Sequence, residues 1–564
     1  MFSWFVSRNL ILAARPEEQT RQLPALVATS AADSAQSEAV SHSGPSGPAS
    51  SRALDRILGI DALLTFALLG GIAFLRLRIP IGDPDLGWHL AAGRHILDHL
   101  ALPGVDRFSY VAEGRPWVVY SWLAEALLAA CDRAFGPGGL IATAALLLAS
   151  TFAIVLSTCR ATGARHSVAV AVTFFAAAVS APTWTVRPHL FSFLFMAIFC
   201  HVLITDRRHD GDDACERPTR HLWRLAPTTV LWANTHVFFI FGLAALGLDV
   251  VTRWRQWLWT PARPRVAWSR CAVLVAVSLA TFANPYGWRL WEHLSALAAD
   301  DVTFAMVTEL QTPSLHAIHG QLLTAFFFAT VLTLTLSRTR KEPTDLAAVF
   351  LFAFLAYSMA RNMPFFAIVA APVFARHAEA LLPTHAAPRT PLSPTRRAFH
   401  AVLLGTCSIL FALGLRGAPV SSADAAISRS RYPVDAVTFM NAQPVLGRLF
   451  NHFNWGGYLI AQLYPRYQVS MDGRTGVYGN DTLREYRATQ YLQREWRTFL
   501  ERCDPDVILW KKDEPFVRGL ELLPAWRRLY EDDLAVIFVR QPSTERHESA
   551  ASGTQAAATK HCQG

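Results

Sequence analysis

Apolar stretches of near-membrane length alternate with short loops dense in arginine, and this alternation constrains the chain more than any motif it contains. The stretches run near 57–75, 138–158, 166–182, 188–205, 225–236, 237–252, 271–284, 319–337, 344–360, 363–378 and 398–416. A bilayer core of about 30 Å takes roughly 20 apolar helical residues. Within lipid only a helix or a closed barrel satisfies its own backbone. The pattern therefore predicts an all-α polytopic membrane bundle of about 11 transmembrane helices. Composition agrees: of 564 residues 52% are hydrophobic and only 17% charged, whereas soluble domains carry about a quarter charged residues.

The formal net charge is +9, but the arginines that produce it sit in the connecting loops, which signals orientation in a membrane and argues against nucleic-acid binding. Five loops carry clusters of them: Arg160 and Arg165; Arg207, Arg208, Arg217, Arg220 and Arg224; Arg253, Arg255, Arg263, Arg265 and Arg270; Arg338, Arg340 and Lys341; and Arg376, Arg389, Arg396 and Arg397. With a cytoplasmic N-terminus, all five fall inside, as the positive-inside rule requires. That parity decides two ambiguous segments. Residues 118–135 are apolar enough to cross but carry Glu125, Asp132 and Arg133, and counting them as a span would move the basic loops outside. They are expected to form an amphipathic helix at the outer interface. Residues 225–251 are expected to form two short helices meeting near Asn234-Thr235-His236.

The chain divides into a Ser-, Ala-, Pro- and Gly-rich cytoplasmic N-terminus over 1–51, expected to be disordered, and a transmembrane domain over 57–416 with its first outer loop at 76–137. An extracytoplasmic α/β domain over 420–540 and a disordered tail over 541–564 follow. The opening run Met1–Ala14 lacks a basic n-region and is not read as a cleaved signal. In the distal domain a helix is predicted over 432–443, a strand over Gln468–Met471, a helix over 482–502 and strands at Val507–Trp510 and Ala535–Val539. The eight cysteines are scattered, without CxxC pairs or zinc-ligand spacing, so no disulfide framework is indicated.

The unusual polar residues share one predicted side. The first outer loop contains Asp83-Pro84-Asp85, His89, Arg94, Asp106, Arg115 and Trp117. Later outer turns supply Arg187-Pro188-His189, Asn234 and His236, Asn284-Pro285-Tyr286, and Arg361-Asn362-Met363-Pro364, and a long loop carries Glu292, His293, Asp300, Asp301 and Glu309. Each turn alone reads as ordinary helix capping. Their convergence on one face reads as a functional site, because polar groups at membrane depth are costly unless paired or facing a wet cavity.

Asp83-Pro84-Asp85-Leu86-Gly87-Trp88-His89-Leu90, then Gly93-Arg94 and Asp106-Arg107-Phe108-Ser109-Tyr110, resembles bacterial multi-span proteins of the GT-C glycosyltransferase superfamily. Trp232-Ala233-Asn234-Thr235-His236, Asn284-Pro285-Tyr286-Gly287, Asn454-Trp455-Gly456-Gly457-Tyr458 and Met471-Asp472-Gly473-Arg474 extend the resemblance over about 57–540. It departs at Gly87, where relatives commonly have a second tryptophan. The resemblance implies a multi-pass enzyme of the cytoplasmic membrane that moves a sugar from a polyprenyl-phosphate donor to an envelope glycan, lipid or protein acceptor at the outer face.

Such a transfer needs a carboxylate base and positive charge for the departing phosphate. Asp83 or Asp85 is the base, and the pair are also the candidate ligands of a divalent cation, Mg or Mn. Substrate-binding candidates are His89, Arg115, Arg187, His189, Asn234, His236, Arg361 and Asn362, with Arg76 and Arg78 as alternative phosphate partners. Trp455, Tyr458, Asp472, Arg474 and Tyr478 are candidates for a sugar-binding surface. Two rivals stay open. A transporter or flippase of lipid-linked glycans would carry polar residues at both mouths and at midplane. A non-catalytic relative would bind glycan through its distal domain.

Overall fold

A run of helices with no sheet among them begins at Ile60 and ends at Gly414, and a small mixed sheet follows. The computed structural model describes residues 58–209, 220–259, 264–383 and 393–541. The expectations for 1–51 and for the C-terminal tail lie outside these residues, as do parts of the arginine loops. All eleven predicted apolar segments are helical. Six helices among the described residues are long and apolar enough to cross a membrane, and Trp268–Ala280 and Pro343–Ser358 are shorter apolar helices. The protein is thus a helical multi-span membrane protein; a count of eleven crossings rests on the sequence pattern alone.

Both ambiguous segments are broken where the sequence reading divides them. One helix runs Trp122–Ala161, but Gly136 adopts φ 63° and ψ −167° and Pro137 follows it, so Trp122–Phe135 and the apolar half are two rods joined at a kink; the interfacial position of the first rod rests on the sequence pattern alone. Leu225–Thr235 ends at the extended residue His236, and a second helix starts at Phe239. The five basic loops are stitched together at one end of the bundle. Arg165 bonds Glu379 at 2.8 Å, Arg207 bonds Asp345 at 2.7 Å, Arg270 bonds Asp206 at 2.5 Å and the Arg376 guanidinium donates to the Arg340 carbonyl.

Burial varies with position in the bundle. The Met363–Glu379 helix is covered on nearly every side, with Phe365, Phe366, Ala367, Ala370 and Ala371 fully buried. Its alanines let neighbouring backbones approach closely, the usual device of membrane helix packing. The Pro394–Gly414 helix, by contrast, buries no residue against protein and offers its apolar side chains outward.

The distal segment carries four strands: β1 (Leu449–Asn451), β2 (Val507–Lys511), β3 (Trp526–Glu531) and β4 (Ala535–Arg540), in the order β1-β2-β4-β3. The first pair is parallel and the other two antiparallel. Two expectations fail here. Gln468–Met471 is not a strand of the sheet; Val469 makes one isolated bridge to Ser109. The side chain of Asn451 accepts from Ser470 N at 2.9 Å and donates to Met471 O at 2.8 Å, so a side chain replaces the ladder. The helix expected over 482–502 is two, Asn480–Gln490 and Trp496–Cys503, because Leu492 and Glu495 between them are left-handed.

Candidate active site at one end of the bundle

The Asp-Pro-Asp turn follows the first helix and precedes the interfacial helix Leu86–His99. Proline cannot donate from its nitrogen, and the next free amide, Asp85 N, donates to Asp83 Oδ1 at 3.0 Å. Tyr432 of the distal segment donates its hydroxyl to the Asp83 carbonyl. This closed turn leaves Asp83 3% exposed and Asp85 9% exposed, both facing Arg187.

Arg187 is the centre of the arrangement. Its Nε lies 3.4 Å from Asp83 Oδ1, one Nη bonds Asp85 Oδ2, and the other bonds Glu309 Oε1 at 2.8 Å. Arg361 reaches the same Glu309 oxygen. Two guanidinium groups therefore meet on a single carboxylate oxygen beside two further acids. Burial pushes the Asp83 carboxyl above the usual range, and the Arg187 charge opposes that rise. Burial, with Arg187 as a like-charged neighbour, lowers Arg361 to about 10.

The other predicted residues divide into those near this centre and those held elsewhere. His89 is buried with Nδ1 2.9 Å from Glu125 Oε1, joining the two interfacial helices. His189 and His236 are neighbours, with ring centroids 6.5 Å apart, and Tyr120 lies 6.3 Å from His236. The amide of Asn234 is fully engaged: it accepts from Trp122 Nε1 at 2.8 Å and donates to the Val230 and Ala283 carbonyls. Asn362 is buried and donates to the Leu355 carbonyl. Arg115 donates to the Tyr478 carbonyl at 2.6 Å, on the distal-segment side. Arg76 is buried against the Ile79 carbonyl, and Arg78 reaches the Gly414 carbonyl. Glu309 was visible in the sequence only as one acid of a long loop; its pairing with Arg187, 122 residues away, carried no local signal.

The distal segment helps to build this centre. A Cβ on Gly473 would lie 1.7 Å from Asp85 Oδ1, and one on Gly87 would lie 1.9 Å from the Gly457 carbonyl. The tryptophan common in relatives has no room at Gly87, because the Gly456-Gly457 backbone passes there. Arg474 bonds Asp106 at 2.6 Å and Asp472 through two bonds, and lies 4.7 Å over the Trp117 ring. Tyr478 also donates to Asp472. Trp455, Asp472, Arg474 and Tyr478 are all buried; Arg474 and Tyr478 fasten the distal segment to the first outer loop through Asp106 and Arg115, and Trp455 donates to the Arg431 carbonyl within that segment. A cavity of about 90 Å³ between Trp88, Tyr120, His293 and Gly473 lies beside the acids.

Asp83 and Asp85 fit a divalent cation poorly in this arrangement. Both already share the Arg187 guanidinium, and no group of three His, Cys, Asp or Glu among the described residues could hold a metal ion.

The chain superposes on the oligosaccharyltransferase of Archaeoglobus fulgidus, solved tethered to an acceptor peptide containing the NVT sequon, with a TM-score of 0.50 and 12% identity over 81% of this chain and 69% of that one. The fold is that of the GT-C membrane glycosyltransferases. Other GT-C structures similar to it are ArnT of Cupriavidus metallidurans bound to undecaprenyl phosphate (TM-score 0.48, 13% identity, 85% of this chain and 99% of that one) and mycobacterial arabinofuranosyltransferase AftD (0.45, 15%, 87% and 42%). No family model and no curated protein matches the sequence. The GT-C likeness is one of fold.

Proposed function

We propose that this protein is a GT-C-type glycosyltransferase that moves a sugar from a polyprenyl-phosphate donor to an envelope glycan, lipid or protein acceptor at the outer face of the cytoplasmic membrane. The observation that carries the reading is the meeting of Asp83, Asp85 and Glu309 with Arg187 and Arg361 at one end of the bundle. The opposite end gathers the basic loops, which the positive-inside rule assigns to the cytoplasm.

Asp85 is the more exposed acid and faces the wall formed by Gly473, so it acts as the base. The acceptor hydroxyl attacks the anomeric carbon, its proton passes to an Asp85 oxygen, and the bond from that carbon to the phosphate oxygen breaks. Arg187 and Arg361 take up the charge left on the departing lipid phosphate. Glu309 holds the two guanidinium groups in place until that phosphate replaces it. Asp83 positions the turn and Arg187. The chemistry of this centre is met by its own residues; a divalent cation at Asp83 and Asp85 would have to displace Arg187.

The test compares membranes from cells carrying wild type, Asp85→Asn or no gene, measuring lipid-linked sugars and envelope glycans. Loss of one glycan product with a build-up of its lipid-linked donor in both the null and the Asp85→Asn cells is expected. A product missing in the null but fully restored by Asp85→Asn would defeat the catalytic reading. Adding EDTA to the same membranes separates the two uses of the acid pair, since a metal-independent site keeps its activity.

A further inference from the structure

A second cavity lies at the far end of the same helices. Its volume is about 470 Å³, and Arg207, Arg253, Arg340 and Arg376 line it together with Glu342 and Asp345. Four helices run from the acid site to this cavity. His189–His209 follows Arg187 and carries Arg207; Phe239–Trp259 follows His236 and carries Arg253; Pro343–Ser358 carries Asp345 in its first turn and leads to Arg361; Met363–Glu379 follows Asn362 and carries Arg376. At 1.5 Å per residue these spacings put the two sites about 20–30 Å apart, close to one bilayer core. The cavity is therefore at headgroup depth on the side opposite the acids.

Its charges are arranged for more than mutual neutralisation. Asp249 is fully buried behind the wall and is shared by Arg207, Arg253 and Arg270. Asp345 is shared by Arg207 and Arg376. Four guanidinium groups and two carboxylates line the cavity itself, and Asp249 behind the wall engages Arg207 and Arg253. The Arg340 side chain is 80% exposed at the rim, and the Arg376 guanidinium, anchored on the Arg340 carbonyl, stands beside it. Buried acids pin the inner guanidinium groups in fixed directions, while the exposed Arg340, 3.4 Å from Glu342, stands at the opening. Fixed guanidinium forks suit phosphate oxygens, and basic pockets at the cytoplasmic ends of helices suit anionic headgroups.

The geometry points to this cavity as a binding site for a phosphate group on the membrane face opposite the acid pair, supplied either by an anionic phospholipid headgroup or by a soluble phosphate compound. The site is independent of the sugar-transfer reading. The test uses the full chain in detergent, with melting followed against short-chain phosphatidylglycerol, short-chain phosphatidylcholine and inorganic phosphate. Arg340→Glu and Arg340→Ala are compared with wild type, and both should melt like wild type without ligand because the side chain is exposed. Phosphatidylglycerol is expected to raise the melting point at lower concentration than phosphatidylcholine, with apparent affinity weakened about tenfold in Arg340→Glu. An equal response to inorganic phosphate identifies a soluble phosphate compound as the ligand. No shift with either phosphatidylglycerol or phosphate, or a shift that both Arg340 variants retain in full, overturns the proposal.

Discussion

Arg187 reaches three carboxylates from two loops, using the planar fork that lysine lacks. Arg187→Lys keeps the charge but cannot span Asp83, Asp85 and Glu309 together, so activity should fall by about 100-fold or more while the protein remains folded; turnover and melting measured on the same preparation check this. Replacement by Gln changes the pH profile as well. Asp83 is already raised by burial, and Arg187 is what opposes the rise. Without it the carboxyl protonates at higher pH, so the residual activity of Arg187→Gln should be lost on acidification earlier than that of wild type. Gly473 makes the opposite kind of demand, for space. A methyl at this position meets an Asp85 oxygen at 1.7 Å, and Gly473→Ala should depress activity more than stability, with overpacking costing about 1–3 kcal/mol.

Among the elements, the Trp122–Ala161 helix depends most on one backbone conformation. Gly136 at φ 63° and ψ −167° lies in a region open to glycine almost alone. The turn there lets one half leave the line of the other with Glu125 against His89 and Trp122 against Asn234, while the other half enters the apolar bundle. Gly136→Ala is expected to destabilise the protein by about 1–3 kcal/mol, seen as a lower melting point. The His89–Glu125 contact should weaken with it, which native-state hydrogen exchange over 86–99 would report as faster exchange. An unchanged melt would mean that the kink is not required.

For the molecule as a whole, the distal segment is part of the wall of the candidate site. Tyr432 bonds the Asp83 carbonyl, Gly473 lies against Asp85, and the buried Asp106–Arg474–Asp472 network ties the outer loop to it. Removing one partner of a buried ion network strands the others and costs about 3–5 kcal/mol. Arg474→Ala should therefore lower the melting point sharply, and a chain ending at Arg416 should be inactive even where it inserts into membranes. Reporter fusions at 206–224 and at 480 should read out opposite sides of the membrane, the first with the arginine-rich end.

The order of helices, the separation of 118–135 from the apolar stretch after it and the break at Asn234-Thr235-His236 were legible in the sequence. They follow from local quantities: apolar length, arginine placement and the parity those two impose. The acid pair and the outer arginines were legible as residue types gathered on one side. Tertiary structure alone decided which of them meet. Asn234 and Asn362 are spent on backbone and tryptophan partners, Arg115 on a distal carbonyl, and Glu309 enters from a loop with no motif of its own. It also turned the Asp472–Arg474 segment from a possible sugar surface into a buried clasp, and Gly87 from a departure into a requirement of close backbone contact. Periodicity along a chain records which face meets lipid or protein, but a side chain's hydrogen-bond partner is fixed by residues tens to hundreds of positions away.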